Sequence, residues 1–119
     1  MIYVGTDITP IARIKNIIQE KGNKFLDRVF TKVEQNICNN KAAPWIHYSG
    51  KYAAKEAVKK AILSSQSLTM ISFKLIEINN NSKGEPIVKL LIKNIDQEKI
   101  KVSISHAGEY ATAIAILDI

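Results

Sequence analysis

Glu56 stands alone among lysines. The stretch His47 to Leu63 reads HYSGKYAAKEAVKKAIL. At about 100° per residue, Ala53, Ala54, Ala57, Val58, Ala61 and Ile62 fill one half of a helix, and Lys51, Tyr52, Lys55, Glu56, Lys59 and Lys60 fill the other. Such a helix packs on a core and shows a basic face to a partner. The plainer reading is a solvated face in which Glu56 pairs with Lys60 at i+4, worth about 0.2–0.5 kcal/mol. A second acid, Asp7, lies just before Thr9-Pro10, where the positive end of a following helix favours a carboxylate and leaves it open to a ligand. Taken alone, it is more often a capping or turn acid, since most acids near helix starts are caps. His106 closes Ser103-Ile104-Ser105-His106, and a lone histidine entering a turn is more often structural than catalytic. Gly84 and Pro86 form a Gly-x-Pro turn, by itself only turn chemistry.

The elements that must position these residues follow from periodicity. Ile2, Val4, Thr6 and Ile8 alternate with Tyr3, Gly5 and Asp7, which predicts a strand from almost the first residue. Thr9 is predicted as N-cap with Pro10 at the first position of helix one. That helix is striped by Ile11, Ile14, Ile17 and Ile18 and ended by Gly22. Thr31-Lys32-Val33-Glu34 reads as a capping box with a local role, and Asn39-Asn40-Lys41 breaks the helix it opens. The long helix runs from Ala42 to Ser65. Gly50 inside it costs about 1 kcal/mol against alanine, so either the helix begins later or something approaches its backbone closely. Ile71, Phe73 and Leu75 alternate and then Ile76 and Ile78 change parity, which predicts a bulge near Leu75. Strands are predicted over 87–92 and 100–105, and the run 110–119, apolar on both faces, is predicted to be central or buried in an interface. One strand, a helical block and four closely connected strands argue for an α+β fold, a largely antiparallel sheet packed with one long central helix and shorter helices.

The chain of 119 residues, 46% hydrophobic, fits one domain over 1–119 with a core needing no staple. Cys38 is the only cysteine and has no internal partner, no apolar run approaches the ~20 residues that span a bilayer, and the first residues lack a leader pattern. A cytoplasmic protein is expected. The net charge of +6 points to an anionic partner, such as nucleic acid, an acidic protein or a phosphate-rich small molecule. Aromatic residues are only 7%, with no stacking platform, which argues against single-strand binding. The basic helix lacks the large aromatics of a membrane-surface helix.

Taken together and in order, Val4-Gly5-Thr6-Asp7-Ile8, Lys51-Tyr52-Ala53-Ala54-Lys55-Glu56-Ala57, Ser82-Lys83-Gly84-Glu85-Pro86 and Ser103-Ile104-Ser105-His106 resemble the holo-acyl-carrier-protein synthases, small bacterial members of the 4′-phosphopantetheinyl transferase family. The resemblance runs from Ile2 to Leu117. It implies a compact antiparallel sheet wrapped by a long helix, assembled as a homotrimer with active sites at the subunit interfaces. The activity it implies is transfer of the phosphopantetheine arm from coenzyme A to a serine of apo acyl carrier protein, serving fatty acid biosynthesis. By the same resemblance Asp7 and Glu56 hold magnesium, and two carboxylates from separate elements suit that ion, which keeps several waters, better than zinc. Lys60 is assigned to the pyrophosphate, Lys51, Lys55 and Lys59 to the phosphates more generally, and Ser105 and His106 to the ribose 3′-phosphate. Gly84 and Pro86 are placed near the adenine, from the neighbouring subunit. Arg13 is assigned to an acidic helix of the carrier protein.

Two positions depart from the family pattern. Lys51 stands where arginine is usual and offers charge without a bidentate fork, and Ser64-Ser65-Gln66-Ser67 replaces a glycine-rich turn. A member that binds coenzyme A without turning it over is therefore one alternative. A non-catalytic basic module binding nucleic acid through the face from Lys51 to Lys60 is another. An acid embedded among those lysines gains a nucleic-acid surface nothing.

Overall fold

The computed structural model describes residues 1–119. The alternating N-terminal segment is strand β1, Ile2–Pro10, and the C-terminal run is β5, Tyr110–Asp118, its antiparallel neighbour. On the other side of β5 lies β4, Ile100–Ala107, giving a three-stranded sheet in the order β1-β5-β4. A separate antiparallel hairpin joins β2, Ile76–Asn80, to β3, Pro86–Leu90. Between β1 and the hairpin come four helices: α1, Ile11–Lys21; α2, Asn23–Val29; α3, Lys32–Asn39; and α4, Pro44–Ser64. The α+β reading with antiparallel pairing holds, and β5 is central. Its two apolar faces have different fates: Ala111, Ala113, Ala115 and Leu117 are buried, whereas Ile114 and Ile116 are about 40% exposed.

Helix α4 lies across the buried face of the sheet. Its stripe Ala53, Ala54, Ala57, Val58, Ala61 and Ile62 forms one cluster with Ala113, Ala115 and Leu117 of β5. Gly5 explains how closely the helix can approach β1, since a Cβ there would collide with the Ala57 carbonyl oxygen. Gly50 serves a milder version of the same purpose, with Ile104 Cγ2 at 3.2 Å from where its Cβ would stand. The helix therefore includes Gly50, and the close approach is what the glycine provides.

Three local expectations are corrected. Pro10, not Thr9, precedes the first turn of α1, and no side chain caps that turn. Thr9 is buried and its hydroxyl donates instead to Asp7 Oδ2 at 2.5 Å. The parity change near Leu75 is a 3₁₀ turn over Phe73–Leu75, not a bulge. Its carbonyls are used elsewhere: Phe73 O accepts from Lys55 and Leu75 O from Leu91 N. Finally, the polar half of α4 is not one solvated face, because Lys51 is 6% exposed and Lys55 fully buried. The Thr31–Glu34 capping box is present, and Gly22 ends α1. After α4, Gln66 takes φ 61°, the left-handed conformation a glycine would supply, while the Ser65 hydroxyl donates to Ile62 O at 2.6 Å and accepts from Ser67 N at 3.2 Å.

Candidate active site

Strand β1 ends beside the C-terminal half of α4, and this brings Asp7 to Lys60. Lys60 Nζ lies 3.6 Å from Asp7 Oδ1 and donates to Thr6 O at 2.9 Å. Asp7 is held from both sides, by the Thr9 hydroxyl on its carboxylate and by Thr112 Oγ1 donating to its backbone carbonyl at 3.0 Å. Thr6, Asp7, Ile8, Lys60 and Thr112 line a shallow cavity of ≈ 390 Å³. Lys60 thus pairs with Asp7 rather than with Glu56. One turn back along α4, Glu56 Oε1 lies 3.5 Å from the Tyr52 hydroxyl. The Tyr52 hydroxyl is pushed up by burial and then by Glu56, with Arg13 opposing and Asp7 adding to the rise. Tyr52, Glu56 and Lys60, each one turn apart, therefore form a ladder on the flank of α4 that meets Asp7 and Arg13.

The other flank carries a second basic site. Lys51 and Lys60 are nine positions apart, about two and a half turns at 3.6 residues per turn, so they leave opposite sides of the helix. Lys51 lines a cavity of ≈ 590 Å³ with Lys41, His47, Gly84, Pro86 and His106. Two lysines and two histidines face this space, and no acid lines it. Lys51 Nζ donates to Ile78 O at 2.6 Å and reaches Asn80 Oδ1 at 3.4 Å, and Asn80 Nδ2 donates to Gly84 O at 3.0 Å. The lysine is thereby tied to the hairpin turn, where Gly84 takes φ +85°. Burial holds the His47 imidazole below its usual range, and Lys41, His106 and Lys51 press it the same way. Burial likewise lowers Lys51.

Lys55 is in neither site, and its expected phosphate contact is corrected here. Its ammonium, fully buried, lies 2.6 Å from Glu34 Oε1 and donates to Val29 O at 2.7 Å and Phe73 O at 3.0 Å. Three acceptors saturate three N–H groups. Lys59 stands over the Phe73 ring at 4.8 Å. The lysines of α4 are thus dispersed among four environments and do not form one basic face.

Ser105 and His106 also separate, because adjacent strand residues face opposite ways. Ser105 pairs with Thr112 on the exposed sheet face, while His106 shares the inward parity of Ile104. Arg13 is exposed on α1. Residues that sequence reasoning overlooked include Thr9, Tyr52, Lys41, His47 and Asn80. Of these, His47 was within reach, since it lies one turn before Lys51. Asp7 and Glu56 are the carboxylates that meet Lys60 and Tyr52 on this flank, and no cluster of three or more His, Cys, Asp or Glu side chains is formed. Two hard carboxylate oxygens without a full protein cage fit magnesium, which completes its shell with water and phosphate.

Residues 3–115 match the model of the 4′-phosphopantetheinyl transferase superfamily. A holo-[acyl-carrier-protein] synthase of Protochlamydia amoebophila is 44% identical over 116 residues, covering 95% of this chain and 94% of its own. Among solved structures, the ACPS–CoA complex of Chronobacterium ammoniagenes has a TM-score of 0.83 at 25% identity, covering 98% of this chain and 96% of its own. The Helicobacter pylori holo-[acyl-carrier-protein] synthase in complex with coenzyme A has a TM-score of 0.75 at 30% identity, covering 97% and 99%.

Proposed function

The chain belongs to the 4′-phosphopantetheinyl transferase superfamily, and we propose that it transfers the phosphopantetheine arm of coenzyme A to a serine hydroxyl of apo acyl carrier protein. The observation that carries the reading is the pairing of Asp7, at the end of β1, with Lys60, while Glu56 lies one turn back on the same flank of α4 beside Tyr52, and a separate acid-free basic cavity is open to a nucleotide. The relatives bound to coenzyme A support the substrate.

In this mechanism the serine oxygen attacks the β-phosphorus, the bond to adenosine 3′,5′-bisphosphate breaks, and the serine proton passes to a base, for which Glu56 is our candidate. Asp7 and Glu56 would hold magnesium, which offsets charge on the pyrophosphate when bound. Lys60 adds a charged donor to the same oxygens. Lys51 and His106 hold the 3′-phosphate, and the turn of Gly84 and Pro86 lies against the adenine. As in other phosphoryl transfers, positioning and charge neutralisation carry the rate.

A complete site calls for two chains. Within one chain, Asp7, Glu56 and Lys60 lie on one flank of α4 and Lys51 and His106 on the other. The uncovered face of the sheet bears Ile2, Val4, Ile8, Ile114 and Ile116, between 40% and 66% exposed, an apolar patch that a soluble monomer rarely keeps. These features support a homotrimer with interfacial sites, the number three resting on family resemblance. No helix is long and apolar enough to cross a membrane, and we place the reaction in the cytoplasm, feeding fatty acid biosynthesis.

Arg13, whose charge is felt at Tyr52, is our contact for the acidic carrier. Arg13→Glu should slow association and flatten its salt dependence, and an unchanged rate would remove the assignment. The reaction itself is tested by intact-mass spectrometry of apo acyl carrier protein incubated with this protein, coenzyme A and magnesium, beside an EDTA control. The expected result is a gain of one phosphopantetheine arm that EDTA abolishes. No gain across several carriers would overturn the reading.

A further inference from the structure

We propose that the buried Lys55–Glu34 pair is a positioning device that fixes the rotation of α4, and with it the direction in which Glu56 is presented to Asp7. The inference rests on the transferase reading above. Lys55 and Glu56 are adjacent, about 100° apart around the helix, so whatever holds the first inward aims the second. The hold is thorough. Glu34 Oε1 accepts from Thr31 N at 2.8 Å as well as meeting Lys55, and Glu34 Oε2 accepts from Ile78 N at 2.8 Å. Lys55 adds the carbonyls at the end of α2 and in the 3₁₀ turn before β2. Both side chains have 0% exposure, and rotating α4 would strip a buried charge of its partners, which is far costlier than losing a solvated pair.

Lys51, donating to Ile78 O at 2.6 Å, ties the helix to the hairpin as well, but toward β1 and β5 the interface sets rotation weakly. There the helix presents chiefly Ala53, Ala54, Ala57 and Ala61, packed on Gly5 and on the alanines of β5, with Val58 and Ile62 the larger members of its stripe. Small side chains permit close approach but present shallow ridges, whereas deep interdigitation is what normally selects one helix orientation. A polar anchor among small residues supplies the specificity that such packing lacks, the best attested role of buried polar pairs. Lys55 and Glu34 are positioning residues, acting on the reaction only through Glu56.

The test uses Glu34→Gln/Lys55→Met, which removes both charges together and avoids stranding one. In the folded variant, kcat should fall at least ten-fold while KM for coenzyme A stays within two-fold, because the nucleotide cavity lies on the other flank. Magnesium affinity, measured by calorimetry with adenosine 3′,5′-bisphosphate present, should weaken at least ten-fold. Wild-type kcat and magnesium affinity in a folded double variant, with only the melting temperature changed, would show a merely structural pair and overturn the proposal. Should the variant not fold, the wild-type protein decides: an anchored Lys55 ammonium gives a slowly exchanging NH₃⁺ resonance by ¹⁵N NMR, and its rapid exchange overturns the anchor. A wild-type protein that neither transfers the arm nor binds magnesium would instead remove the transferase reading, leaving that resonance to judge the anchor.

Discussion

Asp7 and Glu56 are forty-nine positions apart, and by local rules each is an ordinary surface acid. What sets them apart is their neighbourhood, Lys60 beside Asp7 and Tyr52 beside Glu56, with Arg13 felt at Tyr52. Glu56→Gln keeps the shape and removes the charge, so transfer measured by intact mass should drop by about 10²-fold or more with the fold retained. Nucleic-acid affinity, if any exists, should stay equal or rise. Retained transfer would contradict the metal role. His47 offers a second residue-level test. Its imidazole is held below the usual range by burial and by Lys41, His106 and Lys51, so the free folded protein prefers it neutral. Its stabilising contribution is present above the ordinary value of 6.5 and is lost as pH falls through the lowered folded value. A bound phosphate favours the imidazolium, so binding takes up a proton. Affinity for adenosine 3′,5′-bisphosphate should therefore rise as pH falls from 8 to 6 more steeply in wild type than in His47→Gln, the variant serving to subtract the titration of the phosphate itself. Equal slopes would exclude His47 from the cavity's charge.

At the scale of elements, the contact between β1 and α4 decides where Asp7 stands relative to Glu56. Gly5→Ala places a methyl against the Ala57 carbonyl, where backbone must move. A destabilisation of roughly 2–3 kcal/mol is expected, visible as a clear fall in melting temperature, together with reduced transfer. Gly50→Ala meets only the Ile104 methyl at 3.2 Å, and the gain in helix propensity of up to about 1 kcal/mol offsets the squeeze. Its melting temperature should stay near wild type. Equal effects of the two substitutions would mean that close approach at β1 is not the constraint. Periodicity exposed α4 and β1, and the capping box at Thr31 was legible from four residues. The second duty of Glu34 was not, because its partners Lys55 and Ile78 lie twenty-one and forty-four positions away.

Across the whole molecule, the two halves of the proposed site sit on opposite flanks of one helix, so if neighbouring subunits complete it, complementary defects should be rescued by mixing. Glu56→Gln and His106→Ala, each impaired alone, should regain part of the transfer rate when subunits are exchanged, since some interfaces then carry two intact halves. Ile114→Lys, on the exposed sheet face, should yield a monomer by light scattering and lose transfer while leaving Asp7, Glu56 and Lys60 in place. An active monomer, or no rescue after verified exchange, would sink the interfacial site.

The order of elements, the α+β class, the small-residue stripe of α4 and the motifs around Asp7, Glu56, Gly84 and His106 were all determined by the sequence, because periodicity, capping and turn preferences act over a few residues. Only the tertiary structure decided which lysines of α4 remain available. The helix pattern made Lys51, Lys55, Lys59 and Lys60 equivalent members of one polar half. Packing of α3 and the β2–β3 hairpin then drew Lys55 inside and turned Lys51 into a separate cavity. A buried lysine is tolerable only where an acid and backbone carbonyls meet it, and those partners come from distant parts of the chain that no local pattern relates.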